Sequence, residues 1–294
     1  MDTKTEVRDF LTSRRAKITP EEVGLVSYGT RQVPGLRREE VATLAGISVD
    51  YYNRMERGSL AGVSEEILKA VGGALRLDEA ELAHLVDLAH ASKRRPARGH
   101  RGPTAGRSVR PSVAWVVDAM HGAAAFVVNG RQDVLAANLL GRAFCAPVLD
   151  SPEPANMARF TYLDPRAREF FADWGRTARE CAAALRTQAG QEPFDRELSD
   201  LVGELSTKSE EFAAFWATHD VRLHRRAEKR FRHPLVGELT LCYERLAISA
   251  DPGLEIVTYV PEPGSRSAES FAFLASHAGV DGGRPYAVPS EHLD

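Results

Sequence analysis

Within LRREEVATLAGISVDYYNRMERGS, residues 36–59, the polar residues Asp50, Asn53, Arg54 and Arg57 stand at offsets of zero, three, four and seven. On a helix that spacing gathers them on one side, opposite Tyr52 and Met55. These side chains can reach base edges and phosphates. An arginine such as Arg54 can bond guanine bidentately, Asn53 can pair with adenine, Asp50 can accept from a cytosine amine, and Val49 in the first turn can touch a thymine methyl. The same pattern also suits the solvated face of a small helical domain, and composition alone leaves both readings open.

The elements that would position this row are two short amphipathic helices. Leu36, Val41, Leu44 and Ala45 recur at helical spacing before Gly46, and Ile47, Tyr51 or Tyr52, and Met55 do so after it. Ser48 can cap the second helix, with Tyr51 rather than a glutamate three residues on, and Gly58 stops it. A helix, a short glycine-containing turn and a second helix make helix-turn-helix geometry, with the outer face of the second left projecting. Arg37 and Arg38 open the first helix, where the macrodipole disfavours cations; Glu39 and Glu40 partly offset this. The placement makes sense where a phosphate is to be held, so Arg37 and Arg38 are candidate backbone contacts. Two more helices follow, capped by Ser64 and by Asp78 with Glu81 in a capping box. With a leading helix over Glu6 to Lys17 the count is five.

The 294 residues suffice for about two domains. A net charge of -3 gives no whole-chain polycation, so any surface for nucleic acid must be local. MDTKTEVRDFLTSRRAK carries charges throughout, unlike a signal peptide, and Val113 to Val128 is interrupted by Asp118 and His121, short of a membrane span. Cys145, Cys181 and Cys242 lie far apart and suit reduced thiols. The expectation is a cytoplasmic protein without membrane association. Residues 93–110, KRRPARGHRGPTAGRSVR, form a basic, helix-breaking linker that is either a solvated hinge or one that also follows a phosphate backbone.

Past the linker the pattern mixes helices and strands. Val113, Val116, Val117 and Met120 predict a short helix, and AFVVNGRQDVLAAN predicts a hairpin turning at Asn129-Gly130. Arg166 to Gln188 reads as one long helix, with further helices over Leu198 to Leu205 and Phe212 to Trp216. Strands are expected over Val221 to Phe231, Val236 to Ser249 and Leu254 to Val260, and a closing helix over Ala268 to His277. No nucleophile elbow, phosphate loop or HExxH motif occurs, and His219, His224 and His233 lack partners at ligand spacing, so neither an enzyme nor a metal site is expected. Trp174 and Trp216 read first as core, although an apolar ligand chamber draws on the same residue types.

The string GLRREEVATLAGISVDYYNRMERG with its two following helices resembles the five-helix DNA-binding domain of the lambda-repressor/Cro-type (XRE) regulators, in the variant found in the MmyB-like family. The resemblance implies that Ser48 to Arg57 lies in the major groove, with Val49, Asp50 and Arg54 reading bases and Ser48, Arg37 and Arg57 nearer the backbone, and that Glu56 pairs inside the domain with Arg15. The segment from Thr19 to Pro34 is longer than the simplest repressors have. VVNGRQDVLAAN, NMARFTYLDPRAREFFADW, SEEFAAFWATHDV and FRHPLVGELTLCYE are similar to the ligand-binding domain of the same family. That domain is PAS-like, an antiparallel sheet flanked by helices, and a long-chain fatty acid is a known kind of occupant. The resemblance implies that Arg131, Asn156, Arg159 and His233 face or brace a carboxylate, and that Phe126, Phe160, Trp174, Phe212 and Trp216 line an apolar chamber.

The expected architecture has two domains, an all-α five-helix head over residues 1–92 and an α+β PAS-like sensor over 111–282. The linker spans 93–110 and a tail 283–294. No cofactor is expected beyond a fatty-acid-like ligand. The expected partners are double-stranded DNA carrying a palindromic operator and a second copy of the chain, because one helix-turn-helix reads few base pairs. Two alternatives stay open: a carboxy-terminal domain that binds a protein partner, and a small-molecule enzyme fused to a DNA-binding head.

Overall fold

The computed structural model describes residues 3–25, 33, 35–93, 108–150, 154–221 and 226–280. Most of the basic linker, residues 94–107, lies outside the described residues, as do 26–32 and Pro34 in the long first connection, 222–225, and the tail from 281 onwards.

The amino-terminal helices are α1 (Thr3–Lys17), α2 (Arg38–Leu44), α3 (Val49–Glu56), α4 (Glu65–Ala74) and α5 (Glu79–Lys93), with a 3-10 turn at Glu21–Val23. Their ends are set by local chemistry that the sequence spells out. Ser48 Oγ accepts from Tyr51 N–H at 3.2 Å and Ser64 Oγ from Ile67 N–H at 3.4 Å. Asp78 and Glu81 exchange both capping-box bonds, at 2.8 and 3.0 Å. At the end of α2, Gly46 N–H donates to Thr43 O and Ile47 N–H to Ala42 O; Gly58 and Ser59 repeat the pattern on Met55 and Arg54 at the end of α3. Both are Schellman turns with the glycine left-handed, φ 65° at Gly46 and 92° at Gly58.

The carboxy-terminal elements are α6 (Pro111–Asp118), β1 (Ala124–Asn129), β2 (Val134–Ala137), α7 (Leu139–Phe144), α8 (Ala146–Leu149), α9 (Met157–Leu163) and α10 (Arg166–Phe170). They continue with α11 (Trp174–Gln191), α12 (Arg196–Lys208), α13 (Glu210–Ala217), β3 (Arg226–His233), β4 (Gly237–Ala247), β5 (Leu254–Pro261) and α14 (Arg266–Val280). The five strands form one antiparallel sheet in the order β2-β1-β5-β4-β3.

The chain divides into two units that are not simply its two halves. The first holds residues 1–98 together with 186–200 and 214–223; the second holds the rest. The core of the first unit is built from Val7, Phe10 and Leu11 of α1, Val41 of α2, Tyr52 and Met55 of α3, Leu68 and Val71 of α4, and Leu85 and Leu88 of α5, with Val221 buried among them. In the second unit the sheet is apolar on both faces. Phe126, Val128, Tyr259, Leu241 and Phe231 turn to one core with Phe144 of α7, Phe170 of α10 and Phe271 of α14. Ala125, Val127 and Ile256 turn to the other, closed by Val113 and Val117 of α6.

Three local expectations need correction. The long helix over Arg166 to Gln188 is two helices, because Phe171 forms a bridge with Phe231 and Ala172 N–H donates to Arg230 O at 3.0 Å. The strand predicted from Val221 begins at Arg226; Val221 is a core residue of the first unit. The β1–β2 turn is not a two-residue Asn-Gly turn. Asn129 is the last residue of β1, its side-chain oxygen accepts from the N–H groups of Arg131 and Asp133 at 3.0 Å each, and the left-handed residue is Gln132, with φ 69°.

Candidate nucleic-acid interface and ligand-binding half

Helix α3 carries the candidate row. Tyr52 and Met55 are buried on its inner side. Ser48, Val49, Asp50, Arg54 and Arg57 are exposed on the outer side, and Asn53 is half-buried. Because Ser48 Oγ spends a lone pair on Tyr51 N–H, its hydroxyl proton stays available to an acceptor. The Arg54 guanidinium lies 5.1 Å from the ring centroid of Tyr51, a cation–π contact at helical spacing. Tyr51 is thereby a neighbour of the base-reading candidates, which the sequence pattern alone assigned no such part.

Behind the row sits Glu56. Arg15 Nε donates to its Oε2 at 3.1 Å and Arg15 Nη2 to its Oε1 at 2.9 Å, the pairing that the resemblance implies, while Arg15 Nη1 holds Leu36 O at 2.7 Å. Arg38 Nε donates to Glu56 Oε1 as well, at 3.1 Å. Burial pushes the Glu56 carboxyl up, but the two arginines more than offset it and hold it below the usual carboxylate range. Arg37 is the exposed N-cap of α2; its N–H donates to Glu40 Oε2 at 2.6 Å and its guanidinium stands 3.5 Å from Glu39. Both arginines are exposed and both face a carboxylate, Arg37 the exposed Glu39 and Arg38 the buried Glu56.

In the second unit the polar candidates fall into three settings. Asn156 is the N-cap of α9: its Oδ1 accepts from Ala158 and Arg159 N–H, and its amide donates to Arg131 O at 2.9 Å and Asp133 Oδ1 at 2.7 Å. Arg131 Nε stands 3.3 Å from Asp133 Oδ2, and Asn129 donates to the same oxygen at 2.8 Å. The Arg159 guanidinium leaves this group for Glu204, at 2.9 Å. His233 lies apart from both: it accepts at Nδ1 from Leu235 N–H at 3.2 Å, which fixes the tautomer with Nε2–H donating to Ala143 O at 3.1 Å. Burial lowers its pKa, with Ala143 O acting in the opposite direction. Each of these residues is thus bonded to the protein itself, and both arginines are paired with carboxylates.

The aromatic candidates group more closely. Phe126 and Phe160 belong to the core that Phe144 centres, with Phe144 4.9 Å from Phe231 and 5.3 Å from Tyr259. Trp174 packs on that core, donates Nε1–H to Thr161 O at 2.8 Å and carries the Arg168 guanidinium 3.9 Å above its ring. Phe212 meets Tyr162 edge-on at 4.9 Å, and Tyr162 meets Trp174 at 6.3 Å. Trp216 does not join them; it belongs to the first unit, stacked on Arg186 at 3.9 Å.

Two residues that sequence reasoning passed over organise the β1–α7 corner. Asn138 Oδ1 accepts from Gly141 and Ala125 N–H, at 2.7 and 3.1 Å, and its amide donates to Met120 O and Ala123 O, at 2.8 Å each. Gly141 packs so closely that a Cβ would stand 2.8 Å from Ala125 O. An asparagine three residues before a glycine was the visible sign of a cap.

Among the described residues no group of three or more His, Cys, Asp and Glu side chains could hold a metal ion, and no helix is long and apolar enough to cross a membrane. Residues 9–85 match the family model of a helix-turn-helix domain, and residues 109–274, more than half of the chain, match that of the MmyB-like transcription regulator ligand binding domain. No curated protein matches the chain. With the exposed row on α3 ahead of a five-stranded antiparallel sheet flanked by helices, the chain belongs to the MmyB-like transcription regulators, which join a DNA-binding helix-turn-helix to a ligand-binding domain.

Proposed function

We propose that this regulator is a cytoplasmic one-component switch that binds a palindromic operator as a homodimer and changes its DNA affinity when a small apolar molecule, such as a fatty acid, occupies its carboxy-terminal domain. In this reading residues 1–92 read DNA, 93–110 link, and 111–282 sense. The observation that carries it is the outer row of α3, where Val49, Asp50, Asn53 and Arg54 are the base readers and Ser48, Arg57, Arg37 and Arg38 the phosphate contacts. Two heads spaced about one helical turn apart match the two halves of an inverted repeat.

The sensing part of the proposal rests on the rings around Phe144. Phe126, Phe160, Trp174 and Phe212 supply apolar surface, and Arg131, Asn156, Arg159 and His233 supply polar groups for a head group. A ligand that enters must exchange ring-on-ring contacts for its own, which gives it different affinities for the filled and the opened arrangement, the condition for control. The density of those contacts also favours a second reading, in which the domain's signal is a protein partner.

Selection of duplexes by the full-length chain from a random-sequence library tests the DNA reading. Enrichment of an inverted repeat is expected, and the lack of any enriched sequence would overturn it. Mass spectrometry of small molecules released on denaturation separates the two sensor readings. A stoichiometric fatty acid is expected, and an empty protein that recovers a specific protein partner would favour the second.

A further inference from the structure

Arg186 belongs to the span that matches the ligand-binding domain, yet it lies in the first unit, where it is the largest fully buried side chain. Its Nη1 pairs with Glu6 of α1 and its Nη2 donates to Trp216 O, while the guanidinium stacks on the Trp216 ring at 3.9 Å. His219 Nδ1 stands 3.6 Å from Glu6 Oε1, and His219 is held with a left-handed backbone, φ 51°. That conformation is uncommon outside glycine and persists only where neighbours enforce it.

Further contacts fasten the same two stretches, 186–191 and 214–221, to α1 and α5. Arg14 of α1 donates to His219 O and pairs with Asp220 at 3.3 Å and with Glu81 of α5 at 3.0 Å; Lys17 reaches Asp220 at 2.7 Å. His84 of α5 lies edge-on to Phe10 at 5.1 Å and so close to Gly190 that a Cβ there would stand 2.5 Å from the ring. Both His84 nitrogens are buried without a hydrogen-bond partner.

We infer that Glu6, Arg186 and the groups around them form a latch that holds residues 186–191 and 214–221 on α1 and α5, and that the sensing part of the chain acts on the DNA-reading helices by closing or releasing it. The inference rests on the proposed ligand-responsive DNA binding. A buried guanidinium is tolerated only with its carboxylate, and a buried carboxylate only with its cation. The latch is therefore closed as a whole or open as a whole, which supplies the discrete pair of states that coupling requires. The covalent route is short: Trp174 opens the helix on which Arg186 lies, and Phe212 shares α13 with Trp216.

The test compares full-length wild type with Arg186→Gln and Gly190→Ala, by hydrogen–deuterium exchange and by affinity for a duplex that the wild type has enriched. Gly190→Ala keeps every charge and only displaces the His84 ring, so it carries the test should Arg186→Gln lose its fold. Both variants are expected to raise exchange tenfold or more at residues 186–191, 214–221, α1 and α5, and to shift the duplex Kd at least threefold. Unchanged exchange in both variants would overturn the latch. Raised exchange with an unchanged Kd would show a brace without a regulatory part, overturning the coupling while leaving DNA binding intact. A wild type that enriches no duplex overturns the DNA-binding reading itself, and this inference with it.

Discussion

Arg38 Nε lies 3.1 Å from Glu56 Oε1, so a carboxylate buried at the end of α3 holds an exposed cation at the start of α2. Glu56 serves Arg15 and Arg38 at once, and the two bonds differ in worth because Arg15 is nearly buried whereas the Arg38 side chain is 54% exposed. Glu56→Ala is expected to cost about 3 kcal/mol, since it strands the Arg15 charge. Arg38→Ala is expected to cost less than about 1 kcal/mol. Urea denaturation of the two variants checks the order; equal losses would mean that the Arg38 bond is as well shielded as that of Arg15.

The proposed division between base readers and phosphate contacts separates Arg54 from Arg37. Arg54→Ala should weaken binding to the enriched duplex by about 1–3 kcal/mol and leave binding to unrelated DNA unchanged. Arg37→Ala should weaken both and reduce the slope of log K against log salt by about one. Fluorescence anisotropy titrations over a salt series measure both effects, and identical behaviour of the two variants would remove Arg54 from base readout.

His84 and Glu6 set the acid sensitivity of the first unit. Burial, reinforced by the charges of Arg186 and Arg14 against that of Glu6, lowers the His84 pKa from 6.5 to about 4. Below pH 6.5 the unfolded chain takes up a proton that the folded chain refuses, so stability falls as pH drops from 6.5 to about 4 and is then level for this group. Burial pushes Glu6 up, but His219 and Arg186 more than offset it and hold it at about 2 against 4.5; its contribution is complete above pH 4.5 and is lost as pH falls towards 2. Stability of the wild type should therefore begin to decline near pH 6.5, above the carboxylate range. His84→Phe should abolish the loss between 6.5 and about 4, up to about 3 kcal/mol. Thermal melts of wild type and variant across pH 4 to 7 check this, and parallel curves would refute it.

In the second unit Asn138 is a small residue whose loss should cost much, because it is buried and fully bonded. Its side chain makes four hydrogen bonds that no smaller residue can replace, two to N–H groups and two to carbonyls. Asn138→Ala is expected to destabilise by about 3 kcal/mol, the cap being worth about 1 and the stranded carbonyls the remainder. A denaturant midpoint within error of wild type would show that water replaces the amide there.

What the sequence made legible was local. Ser48, Ser64 and Asp78 cap helices because each bonds a backbone group three residues away, and Gly46 and Gly58 end them because their turns demand a left-handed residue. Glu56 was readable as a partner of Arg15 only through the resemblance, since 41 residues separate them. The missed features depend on partners remote in sequence. Periodicity ran one helix through Phe171 because nothing nearby announces the bridge to Phe231. The resemblance placed Trp216 among the sensor aromatics, although its stacking partner is Arg186 in the first unit. Asn129-Gly130 has the composition of a tight turn, yet the Asn129 side chain bonds two N–H groups further on and lengthens the loop. For the candidate ligand residues, spacing showed polarity but not that Asp133 and Glu204 already engage Arg131 and Arg159.

The first unit is discontinuous along the chain, with Glu6 near its start and Arg186 far beyond the linker. A genetic crossover anywhere between the codons for Lys93 and Arg186 would part the two, handing a new head a buried guanidinium and leaving the old one a buried carboxylate. Shuffling at the linker, which looks like the natural seam, is therefore penalised unless both parents carry the pair. Heads and sensors built this way should descend through a lineage together, and chimaeras joined at the linker should fold only when Glu6 and Arg186 travel as a set.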